Sequence, residues 1–360
     1  MDSWLTQAWH WSSHTFLRIQ SMKARLLVSF AAMALAAASV SAQDTTRCPP
    51  GNVGAAFPDQ TRATQDACQK AIDLFQYLAP QLGTAIAGGN ATLGQGGTLG
   101  GLGHFLVDIR VNALQGSIPQ VDKVTPSVQG AVRSAYDTKS QVLPMPTADL
   151  AIGVFKGLPL AITNVGGVDL LVSASYLPEF NSSGVSVKVP NGSLKLGYGV
   201  RLGILQESLL VPGISVTYLR RDLPTVSIAA NNNADTLNVN NLSLNTKAWR
   251  VVASKSLLIF GLAVGAGRDQ YESSADVRAS VAARPPFTTS RFTAAPTSPI
   301  TQNVTRTNVF ADLSMNLLLF KLTGEIGQVS GGTIPTFNTF NGKQPADSRI
   351  YGSVGARFGF

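Results

Sequence analysis

The chain has no long apolar run after residue 42, which limits how it could cross a membrane. Apolar residues make up 44% of its 360 residues. None of the runs beyond residue 42 reaches the roughly 18 consecutive apolar residues that a membrane-spanning helix needs. This excludes ordinary transmembrane helices from that part of the chain. It does not exclude membrane-spanning strands, whose hydropathy signal is weak in each segment.

Charged residues are also scarce, at 13% of the chain. The net charge of +8 is spread along the sequence, without a cluster of lysine and arginine. Nucleic-acid-binding surfaces concentrate basic residues on one face or in one run. We therefore expect no nucleic-acid partner.

Histidine is nearly absent, and the usual catalytic motifs are missing. The chain contains three histidines, of which His104 alone follows residue 42. There is no G-x-S-x-G or H-E-x-x-H motif, and a Ser-His-Asp site would have to be built around His104. We predict that the protein is not an enzyme and has no cofactor.

Cysteine occurs only twice, at positions 48 and 68. In an oxidising compartment, the simplest arrangement is one disulfide between Cys48 and Cys68. A metal site is the weaker interpretation, because two cysteines without nearby histidines supply too few ligands. We predict the disulfide and no metal.

The first 42 residues contain a secretory signal. Met22–Arg25 is basic, Leu26–Ser39 is a short apolar stretch, and Val40-Ser41-Ala42 fits the small-residue rule for cleavage before Gln43. Residues 1–21 fit no signal-peptide pattern and are interpreted as an extension before the true start at Met22. Residues 1–42 are therefore predicted to be absent from the mature chain.

The last thirteen residues, Ser348 to Phe360, alternate between two faces. One face carries only apolar residues and glycine, and the other carries two arginines, a tyrosine, a serine and two glycines. A period of two is typical of a strand between two different environments. The segment resembles the C-terminal strand of Gram-negative outer-membrane β-barrels. The resemblance implies that the assembly machinery reads the terminal aromatics, here Phe358 and Phe360.

Nine further segments show strand patterns. They are His104–Ala113, Thr147–Lys156, Gly166–Leu177, Ser193–Gln206, Val211–Arg221, Thr246–Lys255, Leu257–Tyr271, Asn303–Met315 and Leu317–Gln328. The segment Asp222–Asn245 is interpreted as one long hairpin that projects beyond the membrane. The prediction is an all-β fold, a transmembrane antiparallel up-and-down barrel of about ten strands over residues 104–360. If the pieces of that hairpin span the membrane, the count is twelve.

The predicted connections alternate strictly in length. Those after odd-numbered strands are long, and those after even-numbered strands are short. Outer-membrane barrels have short periplasmic turns and longer extracellular loops. With both termini expected in the periplasm, the long connections are predicted outside. They are residues 114–146, 178–192, 222–245, 272–302 and 329–347, against 157–165, 207–210, 256 and 316.

Residues 43–103 form a segment of a different kind. Asp59–Leu78 has apolar residues at spacings of three and four, which predicts a helix ended by Pro80. Nine glycines follow between Gly83 and Gly103. Two interpretations stay open: a flexible lead-in to the first strand, or a plug folded into the barrel lumen.

Charged side chains on the inward face of the predicted strands are the candidate lumen-lining residues. They could pair across the lumen as a structural network, or line a passage that prefers anionic or polar solutes. The residues are Asp108, Arg110, Asp169, Lys195, Arg201, Arg250, Asp312, Lys321, Glu325 and Arg357.

Two functions follow from the predicted barrel. The first is a channel or transporter for small polar or hydrophobic solutes in the cell outer membrane. The second is a structural or surface-interaction barrel with a closed lumen and partner-binding outer loops. The expected partners are outer-membrane lipid, the barrel-assembly machinery and a small-molecule solute, while the sequence leaves the oligomeric state open.

Overall fold

The computed structural model describes residues 47–48, 58–120, 125–182, 185–232, 235–282, 291–317 and 320–359. The predicted signal peptide and Phe360 lie outside these residues. The described chain contains one helix, α1 (Pro58–Ala87), and sixteen strands. The strands are β1 (Phe105–Pro119), β2 (Thr138–Phe155), β3 (Leu158–Leu160), β4 (Thr163–Val165), β5 (Gly167–Tyr176), β6 (Phe180–Ser182), β7 (Val185–Lys188), β8 (Leu194–Leu205), β9 (Gly213–Asp222), β10 (Val226–Asn232), β11 (Asp235–Leu257), β12 (Phe260–Ala282), β13 (Arg291–Ala294), β14 (Ile300–Asn316), β15 (Lys321–Ser330) and β16 (Arg349–Gly359).

Ten of these strands close into a ring. Going round it, β1 pairs with β2, then β5, β8, β9, β11, β12, β14, β15 and β16 follow, and β16 pairs with β1. Every pairing in the ring is antiparallel, and apart from the closing β16–β1 pair each joins ring strands that follow one another along the chain. The chain is therefore an up-and-down barrel, and the predicted count of ten is confirmed.

The outer face of the ring is apolar and exposed. Strand β8 shows this plainly, because Leu196, Tyr198, Val200 and Leu202 are between 40% and 63% exposed while Arg201 between them is buried. A closed antiparallel barrel with such an outward apolar band is a membrane-spanning barrel. The alternation predicted from the sequence holds in β8 and in β1.

The connections sort into two ends, as predicted. At one end they are long: residues 120–137, 177–193, 223–234, 283–299 and 331–348. At the other end they are residues 156–166, 206–212, 258–259 and 317–320. We call the first end the outer end, because extracellular loops are the longer ones in such barrels.

The strands run further toward the outer end than predicted. β2 begins at Thr138 rather than at Thr147, and β11 begins at Asp235 rather than at Thr246. Here the face pattern changes, because inward residues such as Leu244 are apolar and buried in one cluster with α1. The predicted projecting hairpin is confirmed as β10 and the first half of β11, which β6, β7 and β13 extend into a sheet beyond the ring.

Helix α1 lies inside the ring. Of its 30 residues 22 are buried, including polar ones on every side. The prediction that Pro80 ends it was wrong, since the helix continues to Ala87. Proline cannot donate to the carbonyl four residues earlier. That carbonyl, on Gln76, instead accepts a hydrogen bond from Gln302 of β14 at 3.3 Å.

The chain threads the barrel from the outer end to the inner end. Asp66 near the helix start accepts from the backbone N–H of Ser127 in an outer connection, at 2.7 Å. Leu99, beyond the helix, donates to Asp169 near the inner end of β5, and β1 then begins at Phe105. Arg47 and Cys48 therefore lie at the outer end, held by the confirmed Cys48–Cys68 disulfide. The barrel itself begins and ends at the inner end, as expected, but the segment that precedes β1 enters from the outer end.

No helix among the described residues is both long enough and apolar enough to cross a membrane.

We predict a depth-dependent cost for charge on the outward face of β8. Val200→Arg places a charge near the middle of the strand, where the cost is about 2–4 kcal/mol. Leu194→Arg, on the same face at the outer end of the same strand, should cost about 0–1 kcal/mol. The measurement is the free energy of unfolding in urea of protein refolded into lipid vesicles. Equal losses would contradict the membrane placement.

The threading makes a second prediction. An epitope inserted after Asp44 should be reached by antibody on intact cells, because residues 47–48 lie at the outer end. An epitope inserted in the 258–259 turn is the matched control and should be reached only after the outer membrane is permeabilised. Labelling of both sites only in permeabilised cells would refute the threaded arrangement.

Candidate functional site

Helix α1 ends deep in the lumen, where the carbonyl groups of its last turn need hydrogen-bond donors from outside the helix. Gly88 follows the helix at φ +58°, a left-handed conformation that glycine adopts without cost, and its N–H donates to the Thr84 carbonyl at 3.1 Å. The final carbonyls of any helix lack partners within it and carry its partial negative charge. The last turn contains no basic residue of its own. Partners must come from the wall.

Four arginines of the wall bond the end of the helix and the turn that follows it. Arg221 of β9 donates to the Ala87 carbonyl at 2.9 Å, and Arg250 of β11 donates to the carbonyls of Gly88 (2.9 Å) and Gly89 (3.1 Å). Arg110 of β1 donates to the Asn90 carbonyl at 2.6 Å, and Arg201 of β8 donates to the Thr92 hydroxyl. We call Arg110, Arg201, Arg221 and Arg250 the arginine girdle. All four are at most 2% exposed.

Each girdle arginine is also paired with a wall aspartate on a neighbouring or nearby strand. Asp149 of β2 pairs with both Arg110 (2.8 Å) and Arg221 (2.7 Å). Asp169 of β5 pairs with Arg201 at 2.6 Å, and Asp269 of β12 pairs with Arg250. Buried charges are tolerated when paired and fully hydrogen-bonded. The aspartates therefore hold the guanidinium groups in place and compensate their charge.

The turn after the helix is held by an acidic pair. Asp312 of β14 and Glu325 of β15 are directly opposite each other in the ladder. Glu325 accepts from the N–H of Asn90 at 2.6 Å, and Asp312 accepts from the Asn90 amide (2.7 Å) and the Gly94 N–H (2.8 Å). A side chain at Gly89 would collide with the Glu325 carboxylate. The carbonyl groups of this turn thus accept hydrogen bonds from arginines, and its N–H groups donate to carboxylates.

The remainder of the glycine-rich segment contacts the inner half of the wall. Gly96 N–H donates to the Ser254 hydroxyl at 2.8 Å, and the Gln206 amide donates to the Thr98 carbonyl at 2.7 Å. Leu99 N–H reaches Asp169 at 3.1 Å. Residues 88–99 thus contact strands on opposite sides of the ring and cross the lumen.

At the outer end, α1 binds the outer connections through two carboxylates. Asp66 accepts from Ser127 and Val132, and Asp73 accepts the backbone N–H groups of Phe337 (3.1 Å) and Asn338 (2.8 Å). Burial raises the pKa of Asp73 from its usual 3.8 to about 6, although these hydrogen bonds lower it. The outer connections are thereby tied to the helix.

The structure places the predicted lumen-lining residues as follows. Arg110, Asp169, Arg201, Arg250, Asp312 and Glu325 contact residues 88–99 or each other in the lumen. Lys321 and Arg357 lie at its inner end. Asp108 is fully buried, and neither of its carboxylate oxygens has a hydrogen-bond partner among the described residues. Lys195 is exposed near the outer end of β8.

Sequence reasoning missed Asp149, Arg221 and Asp269. All three lie within or at the end of predicted strands, on the inward positions of the two-residue period. Extending that period along every strand would have found them. Nothing in the sequence indicates that Arg221 reaches the end of the helix, because that contact depends on the ring closing around it.

No group of histidine, cysteine or acidic side chains able to hold a metal ion occurs among the described residues. The chemistry of the site is hydrogen bonding and ion pairing. It can hold the N-terminal segment in the lumen, and it can exchange those bonds for water or a polar solute.

Comparison with solved structures returns outer-membrane β-barrels. The transport unit of the autotransporter AIDA-I from Escherichia coli aligns over 82% of this chain and 99% of its own, at 9% identity and a TM-score of 0.32. The Ralstonia pickettii toluene transporter TbuX aligns over 78% of this chain and 97% of its own, at 10% identity and a TM-score of 0.26. The attachment invasion locus protein Ail of Yersinia pestis aligns over 72% of this chain and 99% of its own, at 9% identity and a TM-score of 0.22. No family model and no curated protein sequence matches the chain.

The chain has the outer-membrane β-barrel fold. This statement rests on the closed ten-strand ring, the apolar outer band and the two classes of connection. Similarities at these identities and TM-scores carry no information about a solute or a partner.

We predict that the girdle depends on charge pairing. Arg250→Leu leaves Asp269 buried without its cation, which costs about 3–5 kcal/mol. The double variant Arg250→Leu/Asp269→Leu removes both charges, so its loss of stability should be clearly smaller. The measurement is unfolding in urea of protein refolded into detergent micelles. If the double variant is as unstable as the single one, the pair is not the source of the loss.

Proposed function

We propose that this protein is an outer-membrane barrel whose own N-terminal segment gates the passage of small polar solutes. The observation that carries the proposal is the polar character of the contact between residues 87–99 and the wall. That contact consists of carbonyls, amides, hydroxyls, arginines and carboxylates. Water or a polar solute can replace such bonds, whereas a permanently filled lumen is more stable with an apolar core.

Several polar atoms of the wall support a gated lumen. Both Asp108 carboxylate oxygens, the Thr323 hydroxyl and the Ser215 hydroxyl are buried and have no hydrogen-bond partner among the described residues. A buried polar group without a partner costs about 1–3 kcal/mol. The segment therefore fits the wall incompletely. Hydration of the lumen would satisfy these atoms and favour displacement of the segment.

The wall does not need the segment for its backbone bonding. Every ring strand is hydrogen-bonded to two neighbours. In a closed barrel the backbone groups are satisfied between strands, and the lipid-facing surface is independent of the lumen. The segment can thus move while the ring persists.

The direct experiment removes the segment and measures conductance. The variant lacks residues 59–95 and carries Cys48→Ser, so that no unpaired cysteine remains. In planar bilayers we expect closed or rarely open wild-type protein and steady conductance from the variant. Lys247→Gln is the control, since Lys247 pairs with Glu272 on the outer half of the barrel and makes no described contact with residues 87–99. A correctly assembled deletion variant that conducts nothing would refute gating.

A second function is favoured by a different observation. Strands β6, β7, β10 and β13 extend β11 and β12 into a sheet beyond the ring. That sheet is larger than a connection between spanning strands requires, and it gives the outer end a surface for a partner. A barrel that serves only this purpose would not conduct with or without the segment.

A further inference from the structure

A cavity of about 340 Å³ opens at the inner end of the barrel. It lies between the glycine-rich segment, the start of β1 and the inner ends of β14, β15 and β16. Its polar lining residues are Gln95, His104, Asn316, Lys321 and Arg357. No carboxylate is among the residues that line it, so every charged side chain of this lining is basic.

The two cations of the cavity are direct neighbours. Lys321 at the start of β15 and Arg357 near the end of β16 are opposite each other in the ladder. Like charges at directly opposite positions destabilise a sheet pair. Opposite charges face each other where Arg201 of β8 pairs with Asp169 of β5, whereas the like-charged Asp312 and Glu325 are held by N–H donors of the N-terminal segment. In the described part of the chain, neither Lys321 nor Arg357 forms a direct ion pair of the kind that each girdle arginine has, although Asp312 and Glu207 act on both cations at longer range.

Neither cation has an acidic partner among the described residues. The Lys321 ammonium donates to the Gly94 carbonyl at 3.2 Å, and the Arg357 guanidinium donates to the Leu93 carbonyl at 3.1 Å. Lys321 is only 8% exposed. Buried cations are normally paired, because burial of an uncompensated charge is costly. Both side chains keep further donor positions for a ligand, since lysine has three donors and arginine has five.

We propose that this cavity binds an anionic oxygen group, a phosphate or a carboxylate, on small molecules at the inner face of the barrel. Arg357 presents the planar fork that matches such groups, and Lys321 adds a second charge from the neighbouring strand. Asn316, opposite Lys321 on β14, and Gln95 offer amide donors at the rim. One oxyanion between Lys321 and Arg357 converts their repulsion into two attractive contacts.

The binding test does not depend on whether the barrel conducts, although the N-terminal segment lines part of the cavity. A barrel that never conducts would still bind an anion here, and a conducting barrel could lack the site. The same phosphate chemistry is present in a free solute and in a phospholipid headgroup. Inorganic phosphate and short-chain dihexanoyl phosphatidylglycerol are therefore used as separate probes.

The experiment uses full-length protein in a zwitterionic detergent. Inorganic phosphate is titrated at constant ionic strength against sodium chloride, and Tm is followed together with the ³¹P line width. Wild-type protein should show a saturable rise in Tm, since a ligand bound only by the folded state stabilises it. In Lys321→Gln and in Arg357→Gln the apparent affinity should fall about tenfold or more. The glutamine amide can still donate to the Gly94 or Leu93 carbonyl.

The matched control is Lys255→Gln. Lys255 lies near the same end of the barrel and donates to the carbonyls of Ser208 and Leu209, away from the cavity lining. The Lys255→Gln variant should bind phosphate with the same affinity as the wild type. If Arg357→Gln fails to assemble, Lys321→Gln alone carries the test. A response to the phospholipid only, lost in Lys321→Gln, would keep the site and assign it to headgroups. The proposal would be overturned if neither probe gave a response, or if Lys255→Gln lost as much phosphate affinity as Lys321→Gln.

Discussion

The structure depends on how the carbonyl groups at the end of a buried helix are satisfied. Helix α1 stops in the middle of the lumen, where its last carbonyls cannot reach bulk water and have no partners within the helix. Arg221 donates to the last helix carbonyl, on Ala87, and Asn112 donates to the Ala85 carbonyl. The other girdle arginines bond the turn just beyond, so the barrel wall supplies both the C-terminal cap of the helix and the partners of the turn that follows. The positive charges at this end also interact favourably with the helix dipole, whose negative end lies there.

That cap determines much of the remaining interior. Four buried guanidinium groups require anions, and Asp149, Asp169 and Asp269 provide them from neighbouring or nearby strands. The turn beyond the helix then presents N–H groups, which the Asp312–Glu325 pair accepts. Around residues 88–99 the interior is therefore built from complementary polar contacts, while much of α1 packs in an apolar cluster with the wall. At the inner end Lys321 and Arg357 face each other without an ion-paired carboxylate among the described residues.

The direction of the helix links the interior to the outside. Because α1 begins at the outer end, the same helix that occupies the lumen also holds the outer connections through Asp66 and Asp73. Under the proposed gating, movement of the N-terminal segment would release outer loops as well as open the lumen. Water can replace the hydrogen bonds that residues 88–99 make with the wall, which lowers the free-energy cost of such movement.

The sequence by itself determined an up-and-down barrel of about ten strands, the inward positions of Arg110 and Arg201, and the alternation of long and short connections, whereas the choice of ten strands over twelve came from the structure. These follow from local rules, because a strand between lipid and lumen must alternate with a period of two. It did not determine where α1 ends, where its first residues emerge, or that Arg221 and Asp149 meet beside it. The bond from Gln302 that satisfies the Gln76 carbonyl at Pro80 comes from 226 residues away. Only the closed ring brings such residues together, so the tertiary structure decided the position of the helix and the composition of its cap.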